Sequence, residues 1–474
     1  MNNKKGISLI ALTSLVVSSS IGAGIFDIPS SLAKVATPGV ALLAWFITGF
    51  GILMLALSFS NLVLNKPELN GVSDYARAGF GNFAGFLSGW GYWLGVWLGN
   101  VAFGTMLMST LGYFFKELRS GNSLQAVLFA SMISWGLTLL VMRGVEAAAV
   151  INVAVTIAKL IPLFVFIVLA ILLFKVNIFS EHFWMNLAGN ASHLSFSKAT
   201  PTGILNQVSS SLISLIWVFV GIEGAAMMAD RARRKSDAAK ATVFGLVALF
   251  ILYVVISILP YGYMSQGQIA QLETPSLMYL MEAMIGPVGG VIISIGLVIS
   301  ILGSWLSWTM LPVEATSQMS EQKLLPKWFG KMNKYNAPAN SLIFTQALVQ
   351  IFFLSLLKTN EAYNFAYSLA TVAIIISYIL VSAYQFKLGI QEKSLKNTLI
   401  GFLSLTFQLV AVIIAGLNFL WLTTVAYFVG FVFYLAAQKQ NEKKITATEW
   451  ILIAVISILA ILAVISVLIG RLSF

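Results

Sequence analysis

The hydrophobic positions of this chain are grouped into long continuous segments, a pattern that predicts transmembrane helices. Apolar and polar residues do not alternate within them as they do in the strands of a membrane β-barrel. The sequence therefore predicts an all-α polytopic membrane protein with thirteen candidate spans. These are residues 7–36, 39–64, 80–115, 124–142, 148–174, 208–230, 239–263, 287–318, 341–357, 362–387, 397–416, 419–438 and 447–470.

Two of these spans contain glycine-rich interruptions. The first span includes "SSSIGAGIFDIP" (residues 18–29), and the sixth includes "FVGIEGAAM" (residues 219–227). Where a helix unwinds at glycines, backbone N–H groups lose their intrahelical partners and must be satisfied elsewhere. A substrate carboxylate meets that need, helped by the positive end of the next half-helix, whose early turns suit Pro29. Close helix packing by small residues is the alternative explanation.

The two interruptions stand at corresponding places in the chain, because each opens a group of five spans. Paired broken helices of this kind are typical of transporters built from inverted repeats. The long polar segment 176–206 separates the groups. We therefore predict one transporter domain over residues 1–474, with repeat one at about 7–175, repeat two at about 208–388 and extra helices at about 397–470.

The positive charges orient the chain in the membrane. With a cytoplasmic N-terminus, twenty of the 28 Lys and Arg residues lie in cytoplasmic segments, six lie outside, and two lie within spans. This bias is the one expected of membrane proteins, and it accounts for the net charge of +11 without a nucleic-acid partner. The basic inside segment 319–340 is expected to contain a short interfacial helix. Thirteen spans place the C-terminus outside, whereas twelve would place it inside.

Among the ionisable residues of the predicted spans, three are candidates for function, because a charge inside the membrane is costly. Glu223 lies in the second interruption and has either a gating role or direct contact with a ligand. Asp27 lies beyond the first interruption, where a structural capping role is favoured. Lys159 lies in the middle of the fifth span. Burial disfavours its charged form, so this lysine is able to load and release a proton. A second hypothesis is that its amine occupies the space that a sodium ion takes in related architectures. A static internal charge bound to backbone carbonyl groups is the alternative.

Aromatic residues supply a second kind of candidate. Trp217 precedes the second interruption by one turn, and Trp305 lies in the middle of the eighth span. The face of a tryptophan attracts cations most strongly when water is excluded. Tyr92 and Asn100 place polar groups deep in the third span. Packing explains each of these residues equally well when it is considered alone.

Other function classes receive no support from the sequence. Cysteine is absent, which excludes thiolate metal sites, and no enzyme signature occurs in a suitable context. We therefore expect neither catalytic residues, nor a metal, nor a cofactor. A channel would require a filter or a ring of like charges, and neither is visible.

Several motifs together resemble the amino acid–polyamine–organocation superfamily, and within it the basic amino acid/polyamine antiporters. The resemblance covers nearly the whole chain and is closest to the arginine/ornithine antiporters and the related arginine/agmatine exchangers. The motifs are "SSSIGAGIFDIP", "KPELNGVSDYARAGFGNFAGFLSGWGYWLGVWLGN", "AVTIAKLIPL", "LIWVFVGIEGAA" and "LGSWLSW". The resemblance implies the leucine-transporter-type fold, with two inverted five-helix repeats and two or three extra C-terminal helices.

The resemblance also implies where substrate binds. In relatives the backbone at the positions of Ala23 and Gly24 binds the α-carboxylate, and the position of Ser20 lines the same site. Trp217 and Trp305 match aromatic residues that stack on the substrate or close its pocket. The remaining matches to pocket or gate positions are Tyr92, Gly95, Val96, Asn100, Val220 and Glu223.

From these observations we hypothesise an antiporter of the inner membrane that exchanges arginine for ornithine. Arginine/agmatine or lysine/cadaverine exchange, a proton-coupled permease using Lys159, and an amino-acid sensor are the alternatives. The expected partners are amino acid or amine substrates and membrane lipid. The oligomeric state is left open between a monomer and a homodimer.

Overall fold

The structure is a computed structural model, and it describes residues 7–143, 146–227, 229, 232–359 and 362–469. The helices of the first half are α1 (Leu9–Ser20), α2 (Ile28–Ala33), α3 (Pro38–Asn65), α4 (Gly71–Phe80), α5 (Asn82–Leu111), α6 (Leu124–Met142), α7 (Glu146–Leu172) and α8 (Val176–Ser180). Those that follow are α9 (Pro201–Trp217), α10 (Gly224–Met227), α11 (Lys235–Ile258), α12 (Gln266–Ala270), α13 (Ser276–Ile285), α14 (Pro287–Glu321), α15 (Ala339–Ser355), α16 (Ala362–Gln391), α17 (Leu395–Ala415), α18 (Leu417–Gln440) and α19 (Ala447–Leu468).

The helices confirm an all-α polytopic membrane protein. Within the described ranges, nine continuous helices are long and apolar enough to cross a membrane. The other predicted spans coincide with α7, with the 17-residue α15 and with two discontinuous helices, α1–α2 and α9–α10. An antiparallel hairpin, β1 (Met185–Asn190) and β2 (His193–Lys198), lies in the polar segment between the two halves.

Both glycine-rich interruptions are breaks in the helices. The first break, residues 21–27, contains a short 3₁₀ turn at Gly24–Phe26 between α1 and α2. The second break, residues 218–223, separates α9 from α10. Within this break, Gly221 has a φ of 108°, a backbone conformation that residues with a Cβ atom rarely adopt. Glycine is therefore required at this position by the backbone geometry.

The two halves of the chain pack against each other in matched pairs. Helix α1 packs on α11 and α9 packs on α3, while α5 packs on α16 and α14 packs on α7. Helices α3 and α11 contact each other, as do α5 and α14. These contacts bring the first break beside the second.

Helix α5 lies at the centre of the bundle. Its most apolar 18-residue window is 94% buried although its mean hydropathy is only 1.3. The peripheral α19 has the opposite character, since its window is 22% buried with a mean hydropathy of 3.3. Hydropathy therefore follows exposure to lipid rather than depth in the protein.

The prediction of a short interfacial helix within residues 319–340, between α14 and α15, is wrong. Helix α14 extends to Glu321, and residues 322–338 form turns. Lys323 and Asn336 have φ values of 64° and 56°, which are incompatible with a continuing right-handed helix. Pro326 and Pro338 also interrupt helical hydrogen bonding in this segment.

Candidate functional site

Unpaired backbone amides characterise the first break. Turns at its two ends are closed by bonds from Gly22 N to Ser20 O and from Phe26 N to Ala23 O. Among the described residues, the N–H groups of Ala23, Gly24 and Ile25 make no hydrogen bond. All three residues are buried. Because buried N–H groups are costly to leave unpaired, this part of the break favours a negatively charged group.

The carbonyl end of α1 is bound by a buried lysine. Lys159 Nζ donates to Ser18 O at 2.6 Å and to Ile21 O at 2.8 Å. The hydroxyl groups of Ser300 and Ser304 on α14 also donate to Ile21 O, at 3.3 and 3.2 Å. A positive group surrounded by carbonyl and hydroxyl oxygens is compatible with either role considered for Lys159, the replacement of a cation or a static link.

Ser19, in the last turn of α1 immediately before the first break, connects this helix to the second break. Its hydroxyl donates to Gly221 O at 2.8 Å, and its own carbonyl accepts a bond from Trp308 Nε1 at 3.3 Å. Sequence reasoning selected Ser20 instead. Ser20 is buried, and its hydroxyl has no partner among the described residues. The link from α1 to the second break therefore comes from a neighbouring serine that the sequence prediction missed.

Glu223 closes the second break. Its Oε2 accepts bonds from Gly221 N at 3.1 Å and from the Tyr378 hydroxyl at 2.8 Å. Tyr92 of α5 interacts electrostatically with the same carboxyl group. No Lys or Arg of the described segments forms an ion pair with this buried carboxyl group. Glu223 thus connects α5, α16 and the broken backbone, a contact network suited to gating.

Aromatic rings surround the end of α9. Trp217 stacks on Tyr367 with ring centroids 5.8 Å apart and meets Trp308 edge to face at 5.7 Å. Phe103 contacts both tryptophans, with centroid distances of 6.5 and 5.1 Å. Trp217 Nε1 also donates to the Tyr363 hydroxyl at 3.3 Å. We call these five residues the aromatic box; its π faces suit a cationic or aliphatic ligand.

Trp305 does not belong to the aromatic box. It packs edge to face on Phe353, with a centroid distance of 6.3 Å, and its indole N–H is buried without a partner in the described region. The tryptophan of α14 that contacts Trp217 is Trp308, one helical turn further along. The sequence motif "LGSWLSW" contains both residues and does not distinguish them.

Helix α5 brings three predicted residues to different neighbours. Asn100 Nδ2 donates to Trp308 O at 3.2 Å, so this residue supports the aromatic box. A Cβ on Gly95 would lie 2.8 Å from Ala370 O, which shows that this glycine allows close packing against α16. Val96 is buried. Gly99, which the sequence analysis did not select, has no side chain and so leaves room for the ring of Trp308.

The first break and the aromatic box are in direct contact. A Cβ added to Gly24 would lie 2.8 Å from Val218 and 2.9 Å from the ring of Trp217. Val220 is buried in the second break, where its N–H donates to Trp217 O at 3.1 Å. The arrangement therefore places unpaired amides beside aromatic faces, which suits a ligand with a carboxylate at one end and a cation at the other.

Asp27 has the capping role that the sequence favoured. Its Oδ1 accepts a bond from Ser276 N at 3.2 Å, at the first residue of α13, and its Oδ2 accepts one from Ser31 Oγ at 2.9 Å. Asp27 therefore fixes the end of the first break to α13. Within the described ranges, no group of three His, Asp or Glu side chains is arranged to hold a metal ion.

Comparison with known proteins identifies the family. The sequence profile of the amino acid permease family matches residues 7–456. The chain belongs to this family. It is similar to ArcD1, an arginine/ornithine antiporter of Lactococcus lactis subsp. cremoris, with 52% identity over 96% of this chain and 89% of the relative. The arginine/ornithine antiporter of Latilactobacillus sakei is 50% identical over 96% of this chain and 95% of its own length.

A more distant relative in the permease family carries a different name. The arginine/agmatine antiporter of Chlamydia caviae is 34% identical, over 96% of both chains. These matches confirm the resemblance to the amino acid–polyamine–organocation superfamily and the closeness to arginine/ornithine antiporters.

Proposed function

We propose that this chain is an antiporter of the cytoplasmic membrane that exchanges external arginine for internal ornithine. The observation that carries the proposal is an identity of half or more, over nearly the full length, with proteins named arginine/ornithine antiporters. Arginine/agmatine antiporters are more distant relatives, at 34% identity. This difference favours ornithine over agmatine as the counter-substrate.

The candidate site is compatible with basic amino acids. The unpaired amides of Ala23, Gly24 and Ile25 suit the α-carboxylate, and the aromatic box suits a guanidinium or an alkylammonium group. Arginine and ornithine share both features and carry the same net charge. Their exchange moves one like charge in each direction and therefore needs no ion gradient, which agrees with a lysine bound at the break.

Alternating access in this proposal uses two inverted repeats. The repeats would span residues 7–175 and 208–388, with α17, α18 and α19 outside them. The matched packing of α5 on α16 and of α14 on α7 supports this division. The charge bias supports a cytoplasmic N-terminus.

Counterflow into proteoliposomes tests the exchange. Purified protein would be reconstituted into vesicles preloaded with ornithine, with agmatine or with buffer alone, and uptake of labelled arginine would be measured. We expect rapid uptake with ornithine, slower uptake with agmatine and almost none into empty vesicles. Equal uptake under all three conditions would refute exchange and indicate a permease.

A further inference from the structure

Two cavities lie at the end of the molecule that the charge bias assigns to the outside. The larger, of about 830 Å³, lies between α2, the α5–α6 connection, the tip of the β-hairpin and the start of α16; we call it the outer cavity. The smaller, of about 400 Å³, has a wall rich in serine between α2, α9 and α16; we call it the serine cavity. Among their described lining residues, Lys34 and Asn364 are the two that both cavities share.

Each cavity has a lining residue that contacts Trp217. Tyr363 lines the outer cavity and accepts the hydrogen bond from Trp217 Nε1. Tyr367 lines the serine cavity and stacks on the same tryptophan. Lys34 therefore lies in the lining of both cavities that border the aromatic box at this end of the molecule.

Lys34 is the available positive charge at this junction. Its Nζ forms neither a hydrogen bond nor an ion pair with any described residue, although the buried carboxyl of Asp27 lies within electrostatic range. The carboxylate oxygens of Asp27 already accept hydrogen bonds from the Ser31 hydroxyl and from the Ser276 N–H group. The side chain is half-buried at the end of α2. An external anion could therefore bind the ammonium group without breaking an existing contact.

The other charges of the outer cavity are unequal in sign. Lys116 and Arg119 add to Lys34, and the only acidic residue among the described lining is Glu273, which is paired with Arg119. A purely cationic substrate would be repelled by such a wall. The excess of positive charge therefore favours a ligand that also carries a negative group over one that carries positive charge alone.

The opposite end of the molecule provides a contrast. A cavity of about 390 Å³ between α4 and α14 is lined by Asp74, Glu314 and Glu321, with Arg77 as the basic residue among the described lining. Arg77 is paired with Asp74 at 3.0 Å. The outer cavity and this cavity thus have opposite excess charges, so a positive lining is not a general property of the surface.

We propose that Lys34 forms an outer subsite for the α-carboxylate of a basic amino acid and selects against amines that lack a carboxylate. The subsite rests on the proposed function, because a basic amino acid is taken as the substrate. Arginine offers its carboxylate to Lys34 while its guanidinium group points away from the positive wall. Agmatine has the same guanidinium group and no carboxylate, so it meets only repulsion there.

Competition binding with a matched pair of ligands tests the subsite. Displacement of labelled arginine from the purified protein would be measured for arginine, for L-argininamide and for agmatine. Lys34→Gln is expected to weaken arginine binding about three- to tenfold, the range for one partly exposed charge-assisted contact, and to leave argininamide and agmatine unchanged or tighter. Lys34→Arg should retain the wild-type order. Lys198→Gln removes a charge from the hairpin, outside the described lining, and should alter none of the affinities.

Each outcome bears on a defined claim. Equal weakening of arginine and argininamide by Lys34→Gln, or no change in either, would overturn the subsite. Lys34→Met provides a second neutral side chain if the glutamine variant does not yield folded protein. Failure of the wild-type protein to bind arginine would instead refute the proposed function. That result depends on the wild-type measurement alone and is therefore distinct from the test of the subsite.

Discussion

Replacing Trp308 by leucine should weaken the binding of arginine far more than the same replacement of Trp305. Trp308 contacts Trp217 and Phe103 at centroid distances of 5.7 and 5.1 Å, and its indole N–H donates to Ser19 O. Trp305 points about 60° away from Trp308 around α14 and packs against Phe353. The two changes remove the same atoms from the same helix, and only one of them alters the aromatic box.

The expected magnitude follows from the burial of the aromatic box. Trp308 is 3% exposed, so a cation held against its ring is shielded from water. A desolvated cation–π contact contributes about 1–2 kcal/mol, which corresponds to roughly a 5- to 30-fold weaker Kd when the ring is lost. Trp305→Leu leaves a gap in the packing and should lower the Tm with less than about a twofold change in Kd.

Equilibrium binding of labelled arginine to purified protein, together with thermal unfolding of the same samples, measures both effects. The ratio of the two dissociation constants is the informative quantity, because general destabilisation affects both variants. A Trp305→Leu variant with the larger loss of affinity would refute the assignment. So would a Trp308→Leu variant that binds arginine as tightly as the wild type.

Three further substitutions probe the breaks. Gly24→Ala should abolish exchange, because the new Cβ would lie 2.9 Å from the ring of Trp217; retained transport would show that the break can move aside. Ser19→Ala should lower stability by about 1 kcal/mol through loss of the bond to Gly221 O, seen as a reduced Tm without loss of expression. Lys159→Met should reduce the exchange rate or change its pH dependence, and wild-type rates at acid and alkaline pH would indicate a static link.

The positions of the two breaks were predictable from the sequence because they depend on local properties. The closely spaced glycine pairs at residues 22 and 24 and at residues 221 and 224 make a continuous helix costly, and their spacing along the chain indicates the paired arrangement. Lys159 was predictable for a similar reason, since a lysine in an apolar span must find internal partners. Its partners, the carbonyls of Ser18 and Ile21, were anticipated only as a class of group.

Residues whose role depends on helix rotation were not predictable in the same way. Trp305 and Trp308 lie three positions apart, so they point about 60° apart around α14, and only the location of α9 decides which one meets Trp217. Ser19 and Ser20 are adjacent, so they point about 100° apart around α1, and only the location of the second break decides which one meets it. Tyr378 contacts Glu223 from α16, a distant helix whose register no local pattern reveals.

The central position of α5 has a consequence for biogenesis. A helix of mean hydropathy 1.3 gains little by entering lipid alone, yet its eventual neighbours α14 and α16 are synthesised much later. During translation the glycine-rich and aromatic surfaces of α5 therefore remain exposed to lipid or to the insertion machinery until α14 and α16 have been synthesised. Assembly of this transporter has to hold a poorly hydrophobic helix in the bilayer until the second half of the chain arrives, and slowed synthesis after α5 should increase its degradation.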